Sequence, residues 1–339
     1  MRKLNSVRLK KIITLFVACS ISLWVEAQTD PHFTQFYAYP MGLNPGLAGV
    51  NGGDFRVSAI YRTQWAQVMT PYTTMGISAD VATQKNINFG INLLNQTAGN
   101  AGYHYQHGYL TIGYGGVRFG EDDNQQLSFG IQVGALARKF DPSGFQFGDQ
   151  WNNITGYDPS VSSADLLPRT SSSDLDIGAG VAYSDARENR ALRLFGGFAV
   201  FHLNRPQDPF VTRSVSQQIP MRFSVHGGLQ INLNERIQLT PQLLLMKQGT
   251  AMEQMIGMSV RMPASATADL LAGINYRVND ALAPYLAVGY GQWLFGFSYD
   301  IAAGELGKQV PGTSSFELSL TYTGLPSGRP IRYLSCPRL

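Results

Sequence analysis

From Met221 to Ile231 the chain alternates without a break. Met221, Phe223, Val225, Gly227, Leu229 and Ile231 fall on one side; Arg222, Ser224, His226, Gly228 and Gln230 fall on the other. A period of two puts successive side chains on opposite faces of a strand, one apolar and one polar. After a short turn at Asn232 to Glu235 the pattern resumes, and units of the same kind continue to Ile301. A chain written this way can only become a sheet, so the open question is how its edges are dealt with.

The same reading gives fourteen strands, near 53–65, 71–81, 86–96, 104–119, 125–140, 173–184, 191–203, 220–232, 235–247, 250–260, 267–277, 282–290, 292–301 and 314–323. Many are about ten residues long, the length that crosses a bilayer when tilted by about 45°. Beyond the first 27 residues no apolar run approaches the roughly 18 residues of a helical span. Only 14% of residues are charged, against roughly 25% in ordinary soluble domains. An even number of tilted strands with few charges predicts an all-β fold: a single closed antiparallel transmembrane β-barrel. In 125–140, Leu127, Phe129, Ile131, Val133, Ala135 and Ala137 should face lipid. Ser128, Gly130, Gln132, Gly134, Leu136 and Arg138 should face the lumen. In the last strand Phe316, Leu318, Leu320 and Tyr322 take the lipid side, and Glu317, Ser319 and Thr321 the lumen. A charge at the lipid midplane costs about 2–4 kcal/mol, which accounts for Arg138, Arg222 and Glu317 all sharing the polar parity. Barrels of this kind have short periplasmic turns and longer outer loops. Long connections at 141–172, 204–219 and 302–313 follow odd strands; short ones at Ala82–Lys85, Gly120–Asn124 and Leu233–Asn234 follow even strands.

Residues 1–27 have the form of a cleaved export signal. Arg2, Lys3, Arg8, Lys10 and Lys11 precede the apolar stretch Ile12 to Val25, and Val25-Glu26-Ala27 suits a cleavage site. The stretch is short for a membrane anchor, and using Cys19 as a lipoprotein site would leave an apolar remnant on the mature chain. Without the signal, 21 Lys and Arg stand against 22 Asp and Glu, a net charge of −1. Nucleic-acid binding therefore loses its electrostatic support. Only Cys336 remains of the two cysteines, so the mature chain forms no internal disulfide. The domain reading is 28–52 as a plug or periplasmic segment, 53–323 as barrel and 324–339 as a periplasmic tail.

Residues 28–52 show neither alternation nor a helical period, and Pro31, Pro40 and Pro45 interrupt regular structure. Phe33, Phe36, Tyr37 and Tyr39 make the segment too aromatic for a solvated linker, so it should plug or cap the periplasmic side of the barrel. Its motifs carry a resemblance. Asp30-Pro31-His32-Phe33-Thr34-Gln35-Phe36-Tyr37, Leu43-Asn44-Pro45-Gly46-Leu47-Ala48-Gly49 and Tyr61-Arg62-Thr63-Gln64-Trp65 stand at one end. Gly296-Phe297-Ser298-Tyr299-Asp300-Ile301, Phe316 to Leu320 and Cys336-Pro337-Arg338-Leu339 stand at the other. Together they resemble the PorP/SprF family of outer-membrane proteins of the type IX secretion system, with Gly46 where that family usually has Ala and Leu339 where it often has Phe. The resemblance implies a bacterial outer-membrane location. It also implies partners among the type IX machinery and a secreted cargo protein, often a gliding-motility adhesin, engaged through the cargo's C-terminal region. It assigns no role to Asp30, Pro31, Phe33, Gln35, Asn44, Pro45, Gly49, Arg62, Trp65, Cys336, Pro337 or Arg338.

No residue set is nominated for catalysis, metal or cofactor binding. His104 and His107 lie three apart, on opposite faces of a strand. His202 and His226 lack cysteines at ligand spacing. Gly113-Tyr114-Gly115-Gly116 and Gly178-Ala179-Gly180 sit within strands, where glycine marks a bend or bulge; a phosphate loop would need a following helix. Ser298 and Asp300 share a parity but have no nearby histidine. The loop 141–172 is different. Phe145, Phe147, Trp151 and Tyr157 are costly to leave in water, and loops beyond about 12–15 residues are commonly functional. The sequence predicts a folded, protein-binding outer surface there, joined by Arg205 and Phe210 from 204–219. The alternative functional class is a porin-like channel for small solutes; a soluble secreted β-sandwich is a third.

Overall fold

The computed structural model describes residues 30–324 apart from 67–69, 84, 100–101, 121–122, 142–144, 153, 162, 164–169, 188–189, 208–217, 235, 305–306, 308–309 and 311–313. Sixteen strands follow in chain order: β1 Phe55–Gln64, β2 Tyr72–Val81, β3 Ile87–Ala98, β4 Tyr103–Phe119, β5 Gln125–Lys139, β6 Trp151–Asn152, β7 Gly156–Tyr157, β8 Ser171–Asp185, β9 Leu192–Phe201, β10 Arg222–Asn232, β11 Gln238–Gln248, β12 Ala251–Pro263, β13 Ala268–Arg277, β14 Ala281–Tyr290, β15 Trp293–Ala302 and β16 Ser315–Gly324. Fourteen of them form one closed antiparallel barrel, each paired with its neighbours in sequence order. β6 and β7 are a small separate ribbon inside the 141–172 loop. Closure comes from β1 against β16, in register from Phe55 opposite Gly324 to Gln64 opposite Ser315. No sheet edge is left open, which is the condition for a strand-built body to sit in hydrocarbon.

The expected faces are the observed ones. Phe129, Ile131 and Val133 are exposed on the outside of β5, while Ser128, Gln132 and Leu136 are buried within. Leu318 is exposed and Glu317 buried on β16. The outer surface is a belt of Leu, Ile, Val, Phe and Tyr side chains that would be untenable in water at this area. The parity of the connections also holds. Turns after the even-numbered barrel strands run two to six residues, as at Gly291–Gln292 between β14 and β15, whereas 140–170, 202–221 and 303–314 all leave the opposite end.

Glycine explains two local departures. At Gly113 to Gly116 the β4–β5 register shifts between Tyr114 and Val117, a bulge as expected. The β5–β8 register is unbroken through Gly178-Ala179-Gly180, so no bulge lies there. Gly180 and its facing Gly130 have another cause. A Cβ on Gly130 would lie 2.1 Å from the Pro45 carbonyl oxygen, and one on Gly180 2.0 Å from Asn44 Oδ1. The N-terminal segment presses so closely on the wall that no side chain fits between them.

That segment fills the lumen. A 3-10 turn at Phe36–Ala38, one α-turn at Pro40–Leu43 and a second 3-10 turn at Pro45–Leu47 carry it through the barrel, each using proline or local bonds to satisfy its backbone. Phe36, Tyr37, Met41, Leu43 and Leu47 pack with Phe195, Leu244, Met246 and Met255 from the wall. Phe33, Ala38 and Tyr39 pack with Ile60, Leu94, Tyr105 and Leu136. The plug therefore reaches further than a cap on the short-turn side. Asp30 meets Gln248, the last residue of β11, at the long-loop end, and Gly49 meets Asp80, near the end of β2, at the short-turn end. The physical reason is length and polarity: some twenty aromatic and small residues match the height of the barrel and have inward-facing partners all the way along it.

Candidate functional site

The plug is held at four levels. At the long-loop end, the Asp30 amide donates to Gln248 Oε1 (2.8 Å) and Asp30 Oδ2 bonds His202 Nε2 (2.5 Å). His202 Nδ1 in turn bonds Asp176 Oδ2 (2.6 Å), which also accepts from the Tyr109 hydroxyl (2.5 Å). Arg138 and Arg222 each lie 3.8 Å from Asp30 and stack over Tyr105 and Phe201. His202 follows β9 and Asp30 belongs to the plug, so both stand outside the spanning strands. Burial alone would lower the His202 pKa, but the Asp30 and Asp176 carboxylates outweigh it and push it up to about 9. Burial works to raise Asp30, yet His202, Arg222 and Arg138 hold it well below the usual carboxylate range. The pair is an ion pair at neutral pH.

One level down, Glu317 accepts two successive plug amides, Thr34 N–H at 2.7 Å and Gln35 N–H at 2.9 Å. Asp300 accepts from Arg62 (3.1 Å), Arg277 (2.9 Å), Ser315 (2.8 Å) and the Thr34 hydroxyl (3.0 Å). Arg62 also donates to the His32 carbonyl at 2.7 Å. Gln35 donates to Ser298 and accepts from Ser319. These carboxylates and guanidinia are almost wholly buried, a placement that is tolerated only when every charge is paired and hydrogen-bonded. At mid-height Asn44 donates to the Val181 carbonyl, meets His226, and accepts from Gly46 N–H. At the short-turn end Asp80 accepts from Gly49, Asn51 and Arg56. Gly49 has φ +76°, a conformation glycine reaches without strain.

The motif residues thus converge although the sequence scatters them. Asp30, Gln35, Asn44, Gly49 and Arg62 make the bonds just described, Phe33 stacks edge-on to Tyr39, and Pro45 presses on Gly130. Pro31 and Trp65 line a cavity of about 190 Å³ at the long-loop mouth, with Tyr72, Asp280 and Arg277. Trp65 adopts φ 60° and meets Tyr72 edge-on. Cys336, Pro337 and Arg338 lie outside the described residues, as do the signal and the tail. Thr34, His202, Asp176, Arg277 and Asp80 were missed. For Asp176, Arg277 and Asp80 the one signal is a charge on the lumen parity of a strand, which Arg138, Arg222 and Glu317 share; Thr34 and His202 lie outside the strands and carry no such signal. Ser298 and Asp300 serve the plug network, and His104 and His107 do face opposite ways, His107 reaching Tyr39 from the lumen side.

The long-loop surface is folded. Trp151 and Tyr157 stack across the β6–β7 ribbon at 5.8 Å, with Ile154 at its tip 93% exposed. Phe145 lies between Phe140 and Phe147, at 5.5 and 6.1 Å. Gln150 accepts from Phe147 N–H and donates to the Val161 carbonyl, and Ser163 donates to Asp149, which ties the loop to itself. Trp151 remains 56% exposed. Arg205 (φ 49°) sits in the turn after β9, where the loop folds back on β8 through Asn204 and Gln207. Phe210 lies outside the described residues.

The sequence matches the type IX secretion system membrane protein PorP/SprF over residues 25–322. The chain belongs to the PorP/SprF family. This PorP/SprF member is a bacterial outer-membrane β-barrel. No curated protein sequence matches it. Among solved structures it is similar in fold to the Ralstonia pickettii toluene transporter TbuX (TM-score 0.48, 10% identity, 83% of this chain and 92% of that one). It is also similar to the P. putida toluene transporter TodX (0.49, 8%, 84% and 93%) and a Pseudomonas aeruginosa FadL homologue (0.43, 11%, 79% and 88%). At these values the likeness is one of barrel architecture.

Proposed function

We propose that this protein is a non-enzymatic partner of type IX export. It would hold the C-terminal region of a secreted cargo, such as a gliding adhesin, at the cell surface during export or attachment. The observation that carries this reading is the full-height plug. With the lumen packed by Phe36, Tyr37, Met41 and Leu47, the barrel offers its partners surfaces rather than a passage. One such surface is the ribbon loop, where Phe145, Trp151 and Ile154 are exposed and Tyr157 packs on Trp151. Aromatic side chains on a stiff ribbon suit protein recognition, since they bring contact area at low entropic cost. The same plug disfavours a porin-like channel. The test replaces Phe145, Phe147, Trp151 and Tyr157 together by serine and follows cargo in the medium and on the surface. Export or attachment should fail while the amount of barrel in the outer membrane is unchanged; unimpaired cargo would end the loop assignment.

A further inference from the structure

At the long-loop end the plug and the wall stand apart. Between them lies the cavity of about 190 Å³, with Asp30, Pro31 and His32 of the plug on one side and Gln64, Tyr72 and Gln96 of β1 to β3 on the other. Gln64 stands directly opposite both Tyr72 and Ser315, and Gln96 opposite Thr74. Directly paired residues share a face, and here it is the lumen face, since Thr74 and Ser315 are buried inside. The cavity therefore opens into the mouth of the barrel and is walled off from the bilayer.

Its lining holds two kinds of group. The charged ones are engaged with one another or with neighbours: Asp30 with His202, Asp300 with Arg62 and Arg277, Arg277 with Asp280, and His32 with Glu253. The connections 65–71 and 303–314, which flank the cavity, contain one Glu and one Lys and no other charged residue, so they add no net charge. A charged ligand finds no unmatched partner here. The neutral groups differ. Among the described residues the Gln64 amide, the Trp65 indole N–H and the Tyr72 hydroxyl make no side-chain hydrogen bond, and Gln96 donates to Thr74 but keeps its carbonyl oxygen for another donor. Trp65 meets Tyr72 edge-on, at 5.1 Å and 78°, so the two rings do not cover each other as a stack would. Trp65 is held there at φ 60°, a conformation rare for a bulky side chain and one that clusters at ligand sites.

Groups that donate and accept from several walls, beside aromatic rings, suit a molecule with hydroxyls around its rim and apolar faces. A pyranose has that chemistry and carries no charge. At roughly 30 Å³ per water the cavity displaces about six waters, enough for one such ring, and it is smaller than the roughly 300–1,000 Å³ of sites for larger ligands. A peptide side chain of that size carries its polar atoms at one end and leaves the groups on the opposite wall unmet. We propose that the outer mouth holds one neutral hexose, free or as the end of a surface glycan, against Trp65 and hydrogen-bonded by Gln64, Tyr72 and Gln96. Because the cavity is half plug and half wall, an occupant bridges the two and stabilises the plugged state by mass action. The proposal does not rest on the export-partner reading.

The full-length protein in zwitterionic nanodiscs is laid on an array of neutral, acidic and amino-sugar glycans, and the hits are titrated as free methyl hexosides. A neutral hexose should bind in both forms. Trp65→Ala should weaken it by about tenfold or more, and Tyr72→Phe, which loses only the hydroxyl, by about three- to tenfold. Tyr290→Ala, at the lipid-facing end of β14 beside a short turn, should leave it unchanged. Heat-modifiable gel mobility reports that each barrel has closed. Saturating methyl hexoside should slow hydrogen exchange at Asp30, His32 and Thr34. A longer glycan that binds more tightly than its terminal hexoside identifies a surface chain as the source, and equal affinity a free sugar; both carry the proposal. It is overturned by no neutral hit, by binding confined to acidic glycans, by array binding that no free hexoside reproduces, or by binding that survives both Trp65→Ala and Tyr72→Phe. Unchanged exchange at those three amides also overturns it, since the sugar would then sit elsewhere. Glycan binding is read without cargo, so this proposal and the export-partner reading fail separately. Should no glycan bind and Trp65→Ala block export, the cavity takes a peptide and the proposal falls.

Discussion

Arg62 shows what a single side chain is asked to do here. It neutralises Asp300 and Glu317 and grips the plug through the His32 carbonyl. Arg62→Ala would strand two buried carboxylates beside one remaining guanidinium, that of Arg277. Breaking a buried pair of this kind costs about 3–5 kcal/mol. Denaturant unfolding in detergent should register that loss, and hydrogen exchange should rise at Thr34 and Gln35. His202 gives a pH window. Its folded pKa is raised to about 9 from 6.5, so its contribution is fully present below about pH 6.5 and disappears as pH rises through about 9. Asp30, held low, contributes above its ordinary value of 3.8 and loses that contribution only in acid. Exchange protection of residues 30–36, corrected for intrinsic rates, should fall between pH 6.5 and 9, and the fall should vanish in His202→Gln.

At the scale of strands, alternation was the most legible feature. Phe129, Ile131 and Val133 could be placed outward from sequence because a one-residue slip would have put Arg138 in lipid. Ile131→Lys at mid-strand should destabilise the barrel by about 2–4 kcal/mol, measured by unfolding in lipid vesicles; a neutral result would remove β5 from the hydrocarbon. The glycines were less legible. Gly113 to Gly116 marked a bulge as expected, but Gly180 is small because Asn44 stands against it, and a residue some 136 positions away leaves no trace in the local pattern. The ribbon β6–β7 escaped for a similar reason: two-residue strands are too short to display a period.

For the whole molecule the decisive arrangement is barrel around plug. Fourteen strands lie between the filled eight-stranded barrels and the open sixteen-stranded porins, so strand number leaves the state of the lumen open. The plug closes it. The intact protein in a planar bilayer should show no large steady conductance. Gly130→Leu, whose side chain needs the space of the Pro45 carbonyl, and removal of residues 30–50 should each open one. A large open conductance in the intact protein would return the channel reading to first place.

What the sequence decided alone was everything that repeats or is short in range: a two-residue period, an even number of bilayer-length strands, charges kept on one parity, and long connections gathered at one end. These follow from water and hydrocarbon acting on neighbouring residues. Only the tertiary structure decided that the N-terminal segment runs the full height of the lumen, that Glu317 receives the amides of Thr34 and Gln35, and that Asn44 stands against Gly180. Those partners stand hundreds of residues apart, and burial, which sets their energies, exists only once the sheet has closed upon itself.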